Sequence, residues 1–174
     1  MTRRARLLAA ATLAALGAAP LIAAAGPSDA EIAHIAYTAG ALDAAAAKQA
    51  LTKSRNAEVR AFAEVMLRDH EAVNDKALAL VKKLKVTPAD NATSQALARQ
   101  AKETEAKLAA LDGAAFDRAY AANEAAFHRT VNGALKDTLI PSADNAELKG
   151  LLETGLTLFG QHQAHAEHLE SSLK

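Results

Sequence analysis

The chain has 174 residues, of which 51% are hydrophobic by type and only 3% aromatic. It has no Cys or Trp, and Lys+Arg balance Asp+Glu at 20 each. The lack of Cys excludes a disulfide scaffold, a zinc ribbon, an iron–sulfur site and a thiol nucleophile, and 8 Gly with 4 Pro exclude collagen and low-complexity disorder. The apolar content is mostly Ala and Leu, the strongest helix formers, so composition predicts one all-α domain.

Residues 1–25 read as a secretory signal peptide. Arg3, Arg4 and Arg6 open it, an apolar run follows from Leu7, and Ala23-Ala24-Ala25 offers a small-residue cleavage site before Gly26-Pro27. The run spans 19 residues and contains Pro20, which disfavours a membrane-spanning helix. Cleavage after Ala25 would leave residues 26–174 as the folded domain, with no transmembrane segment, in the periplasm or secreted. The signal carries three Arg and no acid, so the remainder holds 17 basic and 20 acidic residues, a net charge of −3. No basic footprint for nucleic acid remains.

The elements follow in chain order. Ser28 with Glu31 forms a capping box for a first helix ending near Lys53, with Ile32, Ile35, Ala39, Leu42 and Ala46 on its apolar stripe. Asn56 caps a second helix carrying Val59, Phe62, Met66, His70, Val73, Ala77, Leu80 and Leu84, which stops before Thr87-Pro88. Residues 91–111 form a weaker helix with Leu97, Ala101, Thr104, Leu108 and Leu111 on one side, closed by Asp112-Gly113. A further helix runs from about Ala114 to Thr138, with Phe116, Tyr120, Asn123, Phe127, Val131 and Ala134 as its stripe and Glu124, His128 and Leu135 flanking it. Pro141 is expected to break the chain, and Asp144 with Glu147 to restart it as a second capping pair. The last helix carries Leu148, Leu152, Gly155, Phe159, His162, Ala166 and Leu169.

Four long helices with short first and last turns suit a bundle. The middle connection of roughly 28 residues, with its own shorter helix, is long enough to cross from one end to the other. One long crossover is the ferritin-like topology. An up-down five-helix bundle is the alternative.

The segments AGALDAAAAKQAL (39–51), NAEVRAFAEVMLRDH (56–70) and LDGAAFDRAY (111–120), with His128 beyond and His162 in the final helix, resemble the secreted bacterial family called domain of unknown function 4142. The resemblance covers about residues 30–172. It implies a ferritin-like fold and an envelope location, and no established activity.

Six His occur, at 34, 70, 128, 162, 165 and 168. His70 and His162 occupy apolar-stripe positions. In a ferritin-like bundle the helices of His70 and His128 run parallel. Each His lies 14 residues beyond its helix start at Asn56 or Ala114, so the two sit at similar height. Asp43, Glu124 and His162 then fall within roughly two turns of them. Two readings follow. In the first, the chain is a non-catalytic envelope or stress-related module whose buried His/carboxylate network fixes helix register. In the alternative it stores or buffers a transition metal such as Zn, Cu or Fe, through His70, His128 and His162 with Asp43 or Glu124. A standard di-iron site wants Glu-x-x-His motifs, but Leu67, Ala125 and Phe159 stand three residues before these His. The one Glu-x-x-His, Glu31 to His34, has its Glu in a capping role.

His165 and His168 read as residues of an exposed helix end. Asp69 and Asp117 read as solvated or ion-paired acids, and Tyr37 and Tyr120 as core-edge residues. No Gly-rich phosphate loop or G-x-S-x-G context is present, so neither a hydrolase nor a nucleotide-binding function has support. An enzyme is the less favoured reading. A homo-oligomer is compatible with such a bundle.

Overall fold

A computed structural model describes residues 26–173; the expected signal peptide lies outside them. The described residues are all-α. Helix α1 spans Asp29–Lys53, α2 Ala57–Leu84, α3 Ala92–Ala109 and α4 Gly113–Ala134. Helix α4 continues through a π-helical turn, Leu135–Leu139, into Ile140–Ser142, and α5 spans Ala146–Ser172.

The helix starts follow from side chains that satisfy the free backbone N–H groups of a first turn. Ser28 and Glu31 make the expected capping box. Asn56 accepts from the N–H of Glu58 and Val59, and Asn91 and Ser94 form a second box. Helix α4 starts on Gly113 at φ 55°, a left-handed conformation open to Gly without strain.

Two expectations near Pro141 are corrected. Pro141 does not break the chain but sits in the first turn after the π turn. A proline inside a regular helix meets the carbonyl four residues back and lacks the N–H to bond it, and the wider π turn relieves that conflict. Nor does Asp144 cap α5. Asn145 does, accepting from the N–H of Glu147 and Leu148. The N–H groups of Asp144 and Asn145 instead donate to the Asp29 carboxylate at 3.0 Å each, tying the start of α1 to the α4–α5 loop.

Two apolar clusters fill the interior. One joins Ala47 and Ala50 of α1 with Val59, Phe62 and Met66 of α2, Phe116 and Tyr120 of α4, and Ala166 and Leu169 of α5. The other joins Ile32 and Ile35 with Leu135, Leu139, Leu148, Leu152 and Phe159. The C-terminal halves of α1 and α5 therefore share an end with the N-terminal halves of α2 and α4. Helices α1 and α5 run one way, α2 and α4 the other, and α3 carries the chain back between the ends. Helix α3 lies against α1 and α4, held in part by Gln49 and Lys53 side chains donating to the carbonyls of Glu105 and Ala109.

The small side chains are where helices approach closely. Ala47, Ala50, Ala63, Ala121 and Ala166 are wholly buried, and Gly40 leaves room for the Asn74 side chain of α2. The buried face of α5 is the expected stripe residue for residue. In α1 and α4 the stripes begin as expected, with Ile32, Ile35 and Ala39 and with Phe116 and Tyr120 buried, and the buried face then turns away from the expected one. In α1 the burial passes to Gly40, Asp43, Ala44 and Ala47, leaving Leu42 and Ala46 half-buried; in α4 it follows Asp117, Ala121, Glu124, His128 and Asn132, leaving Phe127 half-buried. The cause is α3, which covers a second, outer apolar strip of both helices.

Candidate metal centre

Between the two apolar clusters lies a polar layer to which all four long helices contribute. Asp43 comes from α1, His70 from α2, Glu124 and His128 from α4, and His162 from α5, each at most 4% exposed. The spacing of Glu124 and His128, one turn apart, puts both on the face of α4 that looks inward. The structure brings together all five residues singled out from the sequence.

One ligand atom from each of His70, His128 and His162 lies within 4.8 Å of the other two, and the same holds for Asp43, Glu124 and His128. The rings of the three His stand 5.3–5.6 Å apart, centre to centre. The Nε2 atoms of His70 and His128 are each 3.5 Å from Asp43 Oδ2, close enough for attraction but without hydrogen-bond geometry. Both Asp43 oxygens, both His70 nitrogens, Glu124 Oε2, His128 Nε2, His162 Nδ1 and the Tyr120 hydroxyl are buried without a hydrogen-bond partner. Buried polar atoms rarely go unpaired, and each costs about 1–3 kcal/mol when it does. Such a concentration in one layer needs a reason.

The rings are held from outside the layer. His128 Nδ1–H donates to the Glu124 carbonyl at 3.0 Å, which directs the lone pair of Nε2 inward. His162 Nε2–H donates to Asp69 Oδ2 at 3.1 Å, which leaves Nδ1 facing the cluster. His70 stacks on Phe159 at 4.7 Å with the planes 10° apart. Phe159 in turn packs over Gly155, where an added Cβ would come within 3.3 Å of its ring. Asn132 donates to the Phe159 carbonyl at 3.1 Å.

Burial dictates the protonation states. It pushes the Asp43 carboxyl up to about 7, with the neighbouring Glu124 carboxyl pulling it partly back. Burial and then the charge of Asp43 push Glu124 well above the usual carboxylate range. Burial, reinforced by His128 and His162, drives His70 down to about 3, and burial drives His128 down to about 4 against the hydrogen bond to the Glu124 carbonyl. His162 is lowered by burial and partly restored by Asp69. Burial, then the charges of Glu124 and Asp43, push the Tyr120 hydroxyl well up. The His are therefore neutral near pH 7, the form that binds metals.

Asp69 is ion-paired with Arg68 at 2.8 Å, as one of the expected alternatives; it is in addition the partner of His162, and its carboxyl is held below the usual range first by Arg68. Asp117 is buried and accepts from the Ser54 hydroxyl at 2.5 Å. Its position seven residues before Glu124, hence on the same helical face, is the signal that marks it. Tyr120 is wholly buried rather than at the core edge. His165 and His168 are exposed as expected, His165 with its ring edge-on to Phe62. His34 stands at the far end of α1, 3.9 Å from Asp90.

Two cavities flank the layer. One, of about 420 Å³, lies between α1, α3 and α4 and reaches Asp43 and Glu124. The other, of about 160 Å³, has an apolar wall of residues such as Ile35, Val73 and Leu152 and touches Asp43, His70 and His128.

No curated protein and no solved structure matches the chain. The family model described as "Domain of unknown function (DUF4142)" matches residues 13–169, which takes in every residue of the polar layer and the Asp69 that supports it. The chain belongs to the domain of unknown function 4142 family.

Proposed function

We propose that this chain is an envelope protein that binds a single first-row transition-metal ion, such as Zn, Cu or Fe, through His70, His128, His162 and Asp43, and stores or buffers it rather than turning over a substrate. The observation that carries this reading is the convergence of three neutral imidazoles from three helices, with one nitrogen from each within 4.8 Å of the others and each ring keeping at least one nitrogen that lacks any partner. Imidazole nitrogens about 2.0–2.1 Å from an ion stand roughly 3.4 Å apart in a tetrahedron, so side-chain closure of about an ångström suffices. A carboxylate behind a metal-binding His is the usual outer support, and Asp69 fills that place for His162.

The purely structural reading, favoured by the sequence, loses ground on the same observation. A network that only fixed register would pair its members throughout, whereas both Asp43 oxygens, both His70 nitrogens, His128 Nε2 and His162 Nδ1 are left without a partner. The residues do not fit a two-ion carboxylate centre either, since the layer holds two carboxylates and His128 has one free nitrogen to give. The helix order, with one crossover bearing α3, supports the ferritin-like reading of the bundle. The basic, apolar and small-residue pattern of residues 1–25 supports export to the periplasm.

The test is elemental analysis of mature protein purified from the periplasm, with N-terminal sequencing, beside a His70→Ala/His128→Ala/His162→Ala variant. The expected result is one ion per wild-type chain, lost in the variant, and an N-terminus at Gly26. Sub-stoichiometric metal with equal, weak titrations of both proteins refutes the metal reading, and a chain retained with residues 1–25 refutes the processed one.

A further inference from the structure

We propose that Asp43, Glu124 and His128 form a receiving station for the ion, reached through the groove under α3, from which it passes to the His70–His128–His162 site. The inference rests on the metal-binding reading above and adds a route and an order of ligand exchange to it.

Three observations carry it. First, the two ligand groups share one residue. His128 belongs to both sets of three, and with its Nδ1–H donating to the Glu124 carbonyl it has one unpartnered nitrogen, Nε2, to give. Two ions therefore cannot fill both sets at once, and a single ion can use them one after the other. Second, both cavities reach Asp43, but they differ in the other ligands they meet. The 420 Å³ groove reaches Asp43 and Glu124 but none of the three His, whereas the 160 Å³ cavity meets His70 and His128 behind an apolar wall. A hydrated cation favours the side where acceptor oxygens wait: Glu124 Oε2 and Asp43 Oδ1 and Oδ2 are buried and unpartnered, and so is Gln49 Oε1 at the groove wall. Third, α3, the helix that roofs this groove, buries only Ser94 and Leu108. Elements with few buried contacts open at the lowest free energy.

The exchange is short. An ion held by Asp43, Glu124 and His128 keeps Asp43 and His128, releases Glu124, and gains His70 and His162. Hard carboxylate oxygens take the ion from water first, and imidazoles, better suited to Zn, Cu or Fe, hold it afterwards.

The experiment is stopped-flow loading of the full mature chain with Co²⁺, followed by its visible absorption, alongside equilibrium titration and circular dichroism. Glu124→Gln removes the station's second carboxylate. Ala101→Trp fills the groove from α3 while leaving every ligand residue unchanged in the sequence. Ala77→Phe fills the opposite cavity. The expected result is loading slower by about tenfold or more in Glu124→Gln and Ala101→Trp, as for binding that must wait on a rearrangement, with one ion still bound at equilibrium, and wild-type loading in Ala77→Phe. Wild-type rates in both of the first two variants overturn the route while leaving the metal site standing. Loss of the equilibrium ion in Glu124→Gln also overturns it, because Glu124 is then a resident ligand. Slowing in Ala77→Phe alone places the route on the other side. A wild type that binds no Co²⁺ at all removes both this inference and the reading beneath it.

Discussion

Asp69 and Asp43 are the residues on which the chemistry of the centre turns. Asp69 stands one position before His70, about 100° around α2, so helix periodicity alone assigns it to solvent. It faces the seam with α5, where His162 Nε2–H finds it, and a seam partner is not visible along a single helix. Asp69→Asn retains the shape but weakens that acceptor, and the expected cost is roughly 10–100-fold in metal affinity with the fold intact, as for other outer-sphere carboxylates; equal affinities in competition titrations against a chelator would show that Asp69 plays no such part. Asp43 sets the pH dependence. Its folded pKa of about 7 lies above its ordinary 3.8, because burial opposes the charged form. In the metal-free protein that group favours the fold fully below pH 3.8, and its contribution is lost as pH rises through 7. Metal-free Asp43→Asn should therefore be more stable than wild type at pH 8, by on the order of a few kcal/mol, with the gap closing toward pH 4. Urea unfolding at both pH values measures it, and a pH-independent gap would refute the burial argument. Metal binding reverses the sign. Near pH 7 the three His are neutral, so the proton that must leave is that of Asp43, and apparent affinity should rise with pH up to about 7, then flatten.

At the scale of the elements, helix identity and most boundaries were legible because they depend on local chemistry. Ser28 with Glu31, Asn56, and the stripe of α5 from Leu148 to Leu169 act within a few residues of chain. What was not legible depends on what packs outside the bundle. The first parts of the α1 and α4 stripes, Ile32 to Ala39 and Phe116 to Tyr120, are buried as expected; the later parts lie beside the buried face because α3 covers Leu42, Ala46 and Phe127 on an outer strip, giving these helices two apolar faces rather than one. The spacing of Asp144 to Glu147 mimics a capping box and so points to the wrong residue for the restart of α5, which Asn145 caps. The competing partner, Asp29, is 115 residues away in sequence. Its carboxylate holds two backbone N–H groups, which charge-assisted bonding strengthens. Asp29→Ala should cost about 1–2 kcal/mol in urea unfolding, against a negligible effect for Asp144→Ala; equal effects of the two would return the cap to Asp144.

For the whole molecule, the layer of unpartnered polar atoms is a liability that the two apolar clusters on either side must outweigh. Bundles tolerate such a layer when something binds it in the folded state alone, because binding then adds to folding stability by mass action. The Ala-rich interior makes this more pressing. Small side chains bring the helices close but bury little area per residue, and 3% aromatic content supplies few large anchors, Phe62, Phe116 and Tyr120 among them. A ligand that drew four helices together at mid-height would offset both deficits. With free metal at about 100 times the dissociation constant, the gain is about 2.7 kcal/mol, which for a domain of this size raises the melting temperature by roughly 5–10 °C. The same titration on the His70→Ala/His128→Ala/His162→Ala variant should give no shift, while the variant without metal should melt no lower than metal-free wild type by more than its lost packing explains, since each ring removed also removes an unpaired nitrogen. Calorimetric scans of both proteins over a metal series separate the two roles of the layer. A shift that grows with metal in wild type alone ties the His to the ion. A variant that collapses without any metal dependence in wild type would make the layer a structural element of the bundle and nothing more.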